Sequence, residues 1–333
     1  MKRIAIATGI LALMGGTLVS CTNADQNNTS QNILKATQVK DSNTDVKLRS
    51  VGVTLNDLSN PFFVVMAQGA EAEAHKIGGD NVKVTTVSSG YDLNQQINQI
   101  ENFVAANTDL IILNAADKSK KILPAINNAR KAGKIVIAVD TAVDAEVDAT
   151  VTTNNLQAGE VSCQYIADRL KGKGNLVIVN GFPVASVIQR VEGCQKVLSK
   201  YPNIKILSKD RNAQGSREGG LRVMSDLLTT FPKIDAVFAI NDLTGVGVDL
   251  AANQARRKEF FIVGVDGAPE AIKAIATPES LYAATATQNP RGMTEKAVQV
   301  GNDILHGKKP EQPTILLPVQ LITRDNVSTA KGW

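Results

Sequence analysis

Short apolar stretches alternate with longer amphipathic stretches along most of the chain. The apolar stretches carry Val, Ile, Leu or Ala at consecutive positions and end in polar residues or turns, as buried strands do. The longer stretches have helical periodicity, and one of them stops at Gly78-Gly79. Strands alternating with helices of this length indicate βαβ units, and therefore an α/β fold with parallel sheets. The predicted strands are 51–55, 82–88, 110–114, 135–140, 176–180, 205–208, 236–240, 261–266 and 283–288.

The alternation pauses near residues 152–155 and then begins again. Two βα series of similar size predict two doubly wound, Rossmann-like lobes, each with its own core. No long Pro/Gly/Ser linker separates the two series, so we expect the lobes to be hinged. The predicted helices are 61–77, 93–106, 118–132, 158–170, 186–200, 217–230, 244–255, a short one near Glu270, and 290–306, followed by an apolar stretch at 314–321.

The beginning of the chain has the pattern of an export signal. A basic start, Met1-Lys-Arg3, precedes an apolar stretch at 4–19 that is too short for a stable membrane span. It ends in Leu18-Val-Ser-Cys21, which resembles a bacterial lipobox, so residues 1–21 are predicted to be a lipoprotein signal peptide with Cys21 as the lipidated residue. The alternative is an ordinary signal peptide with a chance cysteine. The polar stretch 22–47 is predicted to be a flexible tether, which would hold the protein in the periplasm or at the outer face of the cytoplasmic membrane.

Composition and charge exclude several kinds of function. The formal net charge of +4 includes Lys2 and Arg3, and the remainder is near neutral, so no nucleic-acid partner is expected. The two histidines, His75 and His306, make a His-based metal site or a Ser-His-Asp triad hard to build. Gly245-Val-Gly247 lacks the third glycine of a dinucleotide fingerprint and falls inside a predicted helix. We therefore expect no catalytic residues, no metal and no cofactor.

The turn that follows the first strand carries the first candidate binding residues. Asn60 stands at a helix N-cap position, Pro61 at the first helical position, and the rings of Phe62 and Phe63 follow directly. A strand that leads into a capped helix places this turn at the carboxyl edge of a parallel sheet, where open α/β folds bind ligands. Amides beside two rings suit a polyol with one apolar face, so we hypothesise a sugar site.

Five predicted strands end in the same way, with an apolar run followed by an amide or carboxylate side chain. Carboxyl ends of parallel strands share an edge, and two facing lobes would bring both edges to one cleft. Amides and carboxylates together match the hydroxyl groups of a sugar. A glycosidase pair of carboxylates would be the catalytic alternative, but binding is the simpler use. The five side chains are Asn114, Asp140, Asn241, Asp266 and Gln288.

Three further residues each have two interpretations. Arg190, early in a predicted helix, could fork onto two sugar hydroxyls or could form a surface pair with Glu192 or Asp210. Cys163 and Cys194, on neighbouring predicted helices of an exported protein, could form a disulfide or remain buried thiols; we favour the disulfide.

Over about residues 48–321 the sequence resembles the type I periplasmic solute-binding proteins that serve sugar ABC importers, and among them the ribose-binding members. The segments that carry the resemblance are Asn60-Pro-Phe-Phe63, Asn155-Leu-Gln-Ala-Gly159, Arg190-Val-Glu-Gly193, Ala236-Val-Phe-Ala-Ile-Asn-Asp242, Val263-Gly-Val-Asp-Gly267 and Thr287-Gln288. The resemblance implies two lobes joined by three crossovers. It places 48–153 with 289–317 in the N-terminal lobe, and 154–288 with 318–333 in the C-terminal lobe.

The resemblance also implies a role for each candidate side chain. Phe62 and Phe63 would flank the sugar ring. Hydroxyl groups would be bound from the N-terminal lobe by Asn56, Asn60, Asn114 and Asp140, and from the second lobe or the hinge by Arg190, Asn241, Asp266 and Gln288. The implied function is a monomeric, non-enzymatic lipoprotein that captures ribose, fructose or a galactofuranose-like sugar and presents it to an importer permease. The alternative is a receptor for a furanose-like autoinducer, or for chemotactic or sensor-kinase sugar signalling.

The sequence departs from ribose binders at three places. Thr141 stands where an Arg normally follows the aspartate, Val265 stands where a Phe is usual, and 213–216 (Ala-Gln-Gly-Ser) replaces an aromatic of the second lobe. The site is thus expected to lack one cation and up to two rings, so that Phe62 and Phe63 supply nearly all of the stacking.

Overall fold

The computed structural model describes residues 47–117, 119–330 and 332–333. The predicted signal peptide, Cys21 and all of the tether but Lys47 therefore lie outside the described residues. Among the helices that are described, none is long and apolar enough to cross a membrane.

The first lobe is built on a six-stranded parallel sheet with the order β11-β5-β4-β3-β1-β2. Its helices are α1 (Pro61–Gly78), α2 (Leu93–Ala105), α3 (Leu123–Lys131) and α9 (Pro290–Leu305). Its strands are β1 (Ser50–Leu55), β2 (Lys83–Ser88), β3 (Leu110–Leu113), β4 (Ile135–Val139), β5 (Ala149–Thr153) and β11 (Thr314–Leu317).

The second lobe has a sheet with the order β12-β10-β9-β8-β6-β7, parallel except for the β10–β12 pair. Its helices are α4 (Asn155–Arg169), α5 (Ala185–Leu198), α6 (Arg217–Thr230), α7 (Asp242–Ala255) and α8 (Pro269–Ala276). Its strands are β6 (Lys173–Asn180), β7 (Asn203–Asn212), β8 (Ala236–Ala239), β9 (Phe261–Asp266), β10 (Tyr282–Thr287) and β12 (Leu321–Thr323). Both lobes are doubly wound, which confirms the predicted α/β fold class.

Alternating side chains of each central strand enter cores on opposite faces of the sheet. In β3, Leu110 and Ile112 pack with α1 and α9, whereas Ile111 and Leu113 pack with α2 and α3. This follows from the period of two in a strand. A strand covered on both faces must be apolar at every position, which is why the strands read as continuous apolar runs.

The chain passes between the two sheets three times: between β5 and α4, between β10 and α9, and between β11 and β12. The third passage divides the predicted apolar stretch 314–321 into two short strands, with Pro318 between them. Proline has no N–H for a sheet ladder, so a strand ends there readily.

Three local predictions differ from the structure. The helix predicted at 118–132 begins as α3 only at Leu123, after a 3₁₀ turn, because Pro124 fits only the first helical turn. The strand β5 was not predicted, since its three threonines interrupt the continuous apolar run by which the other strands were predicted. Strand β7 is longer than the predicted 205–208 because its surface-exposed end carries no apolar signal.

Helices α4 and α5 of the second lobe are in unusually close contact. A Cβ on Gly159 would lie 2.0 Å from the Arg190 carbonyl oxygen, and one on Gly193 would lie 2.1 Å from that of Leu156. Both positions therefore require glycine. The same two helices are joined by a disulfide between Cys163 and Cys194, with their Cα atoms 5.0 Å apart. Arg190 lies on α5 of this tightly packed pair of helices.

Candidate ligand-binding site

A small cavity lies between the lobes, at the carboxyl ends of both sheets. Its volume is about 50 Å³. The residues that line it come from both lobes: Asn56, Asn60, Phe62, Phe63, Tyr91, Asp140, Thr141, Phe182, Val184, Ser186, Val187, Arg190, Gly215, Ile240, Asn241, Asp266 and Gln288. The structure thus brings nine of the ten predicted site residues around one cavity.

Two carboxylates enter this cavity from strand ends with unusual backbone geometry. Asp140 directly follows β4 and has φ 59°, and Asp266 ends β9 and has φ 138°. A positive φ is disfavoured for residues other than glycine and is typically held at functional positions. Both side chains are almost completely buried.

The guanidinium of Arg190 supplies positive charge beside these carboxylates. Its Nη1 lies 3.7 Å from Asp266 Oδ1, and the side chain of Arg190 is only 5% exposed. Nε donates to Asn155 Oδ1 at 2.9 Å and Nη1 to the Ile240 carbonyl at 3.0 Å. The alternative of a surface pair with Glu192 or Asp210 is therefore not what the structure shows.

Burial dominates the electrostatics of the two aspartates. It raises the pKa of Asp140, against the opposing effect of the nearby Arg190 guanidinium. It also raises the pKa of Asp266, although Arg190 and the amide of Gln288 oppose the rise. Both carboxylates are thus poorly solvated, which makes each a strong acceptor for a hydroxyl group that enters the cavity.

Gln288 and Asp140 each keep a buried oxygen that has no hydrogen-bond donor among the described residues. Gln288 Nε2 donates to Asp266 Oδ1 at 2.8 Å, while Gln288 Oε1 has no partner. Asp140 Oδ2 accepts from Asn114 Nδ2 at 3.0 Å, while Asp140 Oδ1 has no partner. A buried acceptor without a donor is costly and rare.

All three of the predicted asparagines that line the cavity are already held by hydrogen bonds within the protein. Asn56 Nδ2 donates to the Ala115 carbonyl at 3.1 Å. Asn241 caps α7 by accepting from the Thr244 N–H, and its Nδ2 donates to the Gly215 carbonyl at 2.9 Å. Asn60 caps α1, as the sequence predicted, and its oxygen accepts from the Phe62 N–H at 3.0 Å.

Asn114 differs from the expectation that it contacts the ligand. It is fully buried, lies behind Asp140 and is not part of the cavity lining. Its amide donates to Asp140 Oδ2 and to the Val139 carbonyl, so it holds the aspartate in place. The reason is its position one residue after β3: it continues a central strand whose neighbour, β4, carries Asp140 further toward the cleft.

Rings from both lobes line the cavity. Phe62 and Phe63 are in edge-to-face contact, with centroids 5.4 Å apart. Tyr91 of the first lobe and Phe182 of the second are stacked at 4.2 Å with an interplanar angle of 24°. Phe182 is a ring of the second lobe that lines the cavity, so the second lobe does not lack an aromatic there; which of these rings stacks on a sugar stays a prediction. Tyr91 and Phe182 were not predicted as site residues, because both lie in loops, where no periodicity marks a residue. The sequence signal for them was a glycine followed by an aromatic residue shortly after a predicted strand, Gly90-Tyr91 and Gly181-Phe182.

Of the three departures from ribose binders, two lie at the cavity and one does not. Thr141 lines the cavity, and its Oγ1 lies 3.1 Å from Ser186 Oγ of the other lobe, so a contact between lobes stands where the resemblance implied an arginine. Val265 is buried in the core of the second lobe. Gly215, within the 213–216 segment, lines the cavity.

A buried polar cluster around Asp242 lies near Asp266. Asp242, fully buried at the start of α7, accepts from Tyr282 Oη at 2.7 Å, Thr285 Oγ1 at 2.8 Å and the Ala268 N–H at 2.8 Å. Burial, and then the nearby Asp266 carboxylate, raise the pKa of Asp242. The sequence offered no sign that Asp242 and its neighbour Asn241 have such different environments.

Comparison with known families agrees with this geometry. The family described as "Periplasmic binding protein domain" matches residues 51–309. The chain belongs to the periplasmic binding proteins. Its type I fold and the resemblance stated from the sequence are thereby confirmed. The homologues are solute-binding proteins, so the chain is a binding protein and not an enzyme, and the family implies a periplasmic location.

Two curated relatives and one solved structure illustrate the similarity. The ribose import binding protein RbsB of Bacillus subtilis is 34% identical over 83% of this chain and 87% of its own length. The xylitol-binding protein of Mycolicibacterium smegmatis is 30% identical over 86% of this chain and 80% of its own length. The fructose-binding periplasmic domain of a hybrid two-component system superposes with a TM-score of 0.77 at 28% identity, covering 84% of this chain and 92% of that one.

Proposed function

We propose that the protein captures one neutral monosaccharide, or a closely related polyol, in the cavity between its lobes. The observation that carries this proposal is the pair of unpartnered buried acceptors, Asp140 Oδ1 and Gln288 Oε1. Both belong to residues that line the cavity. A ligand rich in hydroxyl groups would supply the donors that these two oxygens lack among the described residues.

The ring side chains support a sugar rather than a fully polar ligand. Phe62, Phe63 and Tyr91 approach from the first lobe and Phe182 from the second. The C–H faces of a sugar ring pack well on aromatic faces while its hydroxyl groups point toward amides and carboxylates at the ring edge. The small size of the cavity favours a single sugar unit.

The charges favour a neutral ligand. Among the described residues that line the cavity, the charged side chains are the carboxylates of Asp140 and Asp266 and the guanidinium of Arg190, so acidic groups outnumber basic ones. A sugar acid or a sugar phosphate would bring further negative charge into a poorly solvated site, where like charges repel strongly. We therefore expect discrimination against both.

The role that we propose for each residue follows from these contacts. Asp140, Arg190, Asp266 and Gln288 bind hydroxyl groups, Phe62 and Phe63 flank the ring, and Asn56, Asn60 and Asn241 complete the polar lining. Asn114 acts through Asp140. The candidate sugars are ribose, fructose and a galactofuranose-like sugar; relatives named for ribose and for xylitol support a five-carbon ligand first.

The proposal extends to delivery. The captured sugar would be passed to the permease of an ABC importer by a monomer that Cys21 anchors to the outer face of the membrane. The second candidate function is sugar sensing, because one similar structure is the periplasmic domain of a two-component system. Uptake of labelled sugar in cells that lack the gene separates the two: loss of uptake supports import, and intact uptake with loss of transcriptional response supports sensing.

A thermal-shift screen tests the binding itself. A ligand that binds only the folded state raises the free energy of unfolding by RT ln(1 + [L]/Kd), about 2.7 kcal/mol at 100-fold excess over Kd, and therefore raises the melting temperature. We expect a shift with at least one of D-ribose, D-fructose, D-galactose or xylitol, and none with gluconate or ribose 5-phosphate. Absence of a shift with every neutral sugar, or a larger shift with the anions, would contradict the proposal.

A further inference from the structure

Trp333 connects the two lobes at the proposed site. Its indole is in edge-to-face contact with Phe62 of α1, with centroids 5.7 Å apart and an interplanar angle of 84°. Its Nε1–H donates to the main-chain oxygen of Asp266 at 3.0 Å. Trp333 also packs against the hydrophobic cores of both lobes. One side chain thus contacts one cavity-lining residue from each lobe.

The hydrogen bond from Trp333 falls where the backbone most needs support. Asp266 has φ 138°, a conformation that side-chain-bearing residues rarely adopt. Its main-chain oxygen accepts two hydrogen bonds, one from the Gln288 N–H at 2.8 Å and one from Trp333. Two donors on this oxygen fix the peptide plane, and the peptide plane fixes the direction in which the carboxylate leaves the main chain.

Trp333 stands on the far side of Asp266 from the proposed sugar cavity. A second, mostly apolar cavity of about 300 Å³ is lined by Trp333 together with Pro61 and Val65 of the first lobe and Leu243 and Val246 of the second. Asn60 and Asp266 line both cavities and separate them. Because the walls belong to different lobes, any change in the angle between the lobes must change the surroundings of the indole.

We propose that Trp333 is a positioning residue for ligand binding: it holds the Asp266 main chain and the Phe62 ring in their binding geometry and reports the closure of the lobes. The part that concerns affinity rests on the proposed function, whereas the part that concerns Asp266 does not. The chain contains one tryptophan, so its tryptophan fluorescence comes from Trp333 alone and reports on the surroundings of this indole.

The first test needs no ligand. Amide hydrogen exchange is compared in the ligand-free wild type, Trp333→Phe, which keeps a ring but loses the N–H, and Leu316→Ala, a control at a residue that is 54% exposed and not part of the cavity lining. We expect peptides covering 261–266 and 282–288 to exchange at least about fivefold faster in Trp333→Phe than in the control, and peptides of α2 to be unchanged. Equal exchange in both variants would overturn the positioning role, whatever the protein binds.

The second test uses D-ribose, D-fructose and xylitol as probes. For each probe that the wild type binds, we expect a change in tryptophan emission on binding and about tenfold weaker affinity in Trp333→Phe, with the Leu316→Ala control unchanged. Unchanged affinity or unchanged emission would overturn the proposal. Failure of the wild type to bind any probe would count against the proposed function, while the hydrogen-exchange result would still decide the role of Trp333 at Asp266.

Discussion

Replacing Asp266 by Asn should separate ligand affinity from stability. The carboxylate of Asp266 is buried, its pKa is raised by that burial, and Arg190 at 3.7 Å offsets only part of the cost. Asn has the same shape and keeps an oxygen for the Gln288 amide, which now donates at 2.8 Å. It no longer offers two charged acceptors to a ligand.

The size of the effect on binding follows from the strength of charge-assisted hydrogen bonds. A hydrogen bond to a charged group contributes about 1.5–3 kcal/mol, roughly twice a neutral one. Since about 1.4 kcal/mol corresponds to tenfold in affinity, loss of one such bond should weaken binding about 10- to 150-fold. The ligand-free protein should melt at the wild-type temperature or above, because the amide does not have to desolvate a charge.

Replacing Arg190, in contrast, should lower the stability of the ligand-free protein. In Arg190→Met the buried carboxylates of Asp140 and Asp266 lose the guanidinium that offsets their burial. Breaking a buried ion pair on one side typically costs about 3–5 kcal/mol. We therefore expect Arg190→Met to be destabilised without ligand. Asp266→Asn should not be, because the Arg190 guanidinium keeps the nearby carboxylate of Asp140 as a counter-charge.

Isothermal titration calorimetry with the sugar found in the screen, and thermal unfolding without ligand, measure the two quantities. Asp226→Asn, the same chemical change at an exposed position of α6, is the matched control and should alter neither. Wild-type affinity in Asp266→Asn would refute the proposed role of this carboxylate. A fall in ligand-free stability as large as that of Arg190→Met would refute the argument from burial.

Three further predictions concern pH, the disulfide and the interlobe stack. Burial raises the pKa of Asp266 to about 6, so its contribution to ligand-free stability is present in acid and lost as the pH rises through about 6, whereas ligand binding, which uses the ionised form, weakens as the pH falls through about 6. Calorimetry from about pH 8 to pH 5 should show that this weakening is much smaller in Asp266→Asn than in the wild type; an equal weakening in the two proteins would contradict the role of Asp266. Reduction of the Cys163–Cys194 bond, which spans 31 residues, should lower the free energy of unfolding by about 3–4 kcal/mol in urea titrations. The variant with both cysteines replaced by Ser should not respond to the reductant, and a wild type whose stability is unchanged by the reductant would contradict the presence of the disulfide. Phe182→Ala removes the stacking partner of Tyr91 and should weaken sugar binding about 2- to 10-fold, since stacked pairs contribute about 0.5–1.5 kcal/mol. The control Phe182→Tyr should bind like the wild type, and wild-type affinity in Phe182→Ala would show that the stack does not contribute to binding.

The features that the sequence predicted well are those set by local periodicity. A buried parallel strand needs a continuous apolar run, and the residue that follows it must lie at the carboxyl edge of the sheet. Asp140, Asp266 and Gln288 could therefore be assigned to one cleft before any distance was known. The cap at Asn60 is equally local, because an N-cap side chain bonds to a main-chain N–H only two or three residues away.

The features that were missed depend on contacts between distant segments. Tyr91 and Phe182 meet only because the lobes face each other, and a loop residue has no period that would mark it. Asn114 follows the same strand pattern as Asp140, yet a difference of one position in depth turns it from a cavity residue into a support. Pattern alone cannot separate these cases, since depth in a cleft depends on how far each strand extends beyond its neighbour.

The contacts between the lobes also indicate how binding and closure are linked. Three contacts join one lobe to the other through protein side chains alone: Thr141 with Ser186, Tyr91 with Phe182, and Phe62 with Trp333. Each is individually weak, at about the level of one hydrogen bond or one ring pair. A ligand that satisfies Asp140 and Gln288 only when both are within reach would add to these contacts solely in the closed form. Because a ligand shifts an equilibrium by no more than its differential affinity for the two states, weakening any of the three contacts should lower apparent affinity even where no ligand atom is touched.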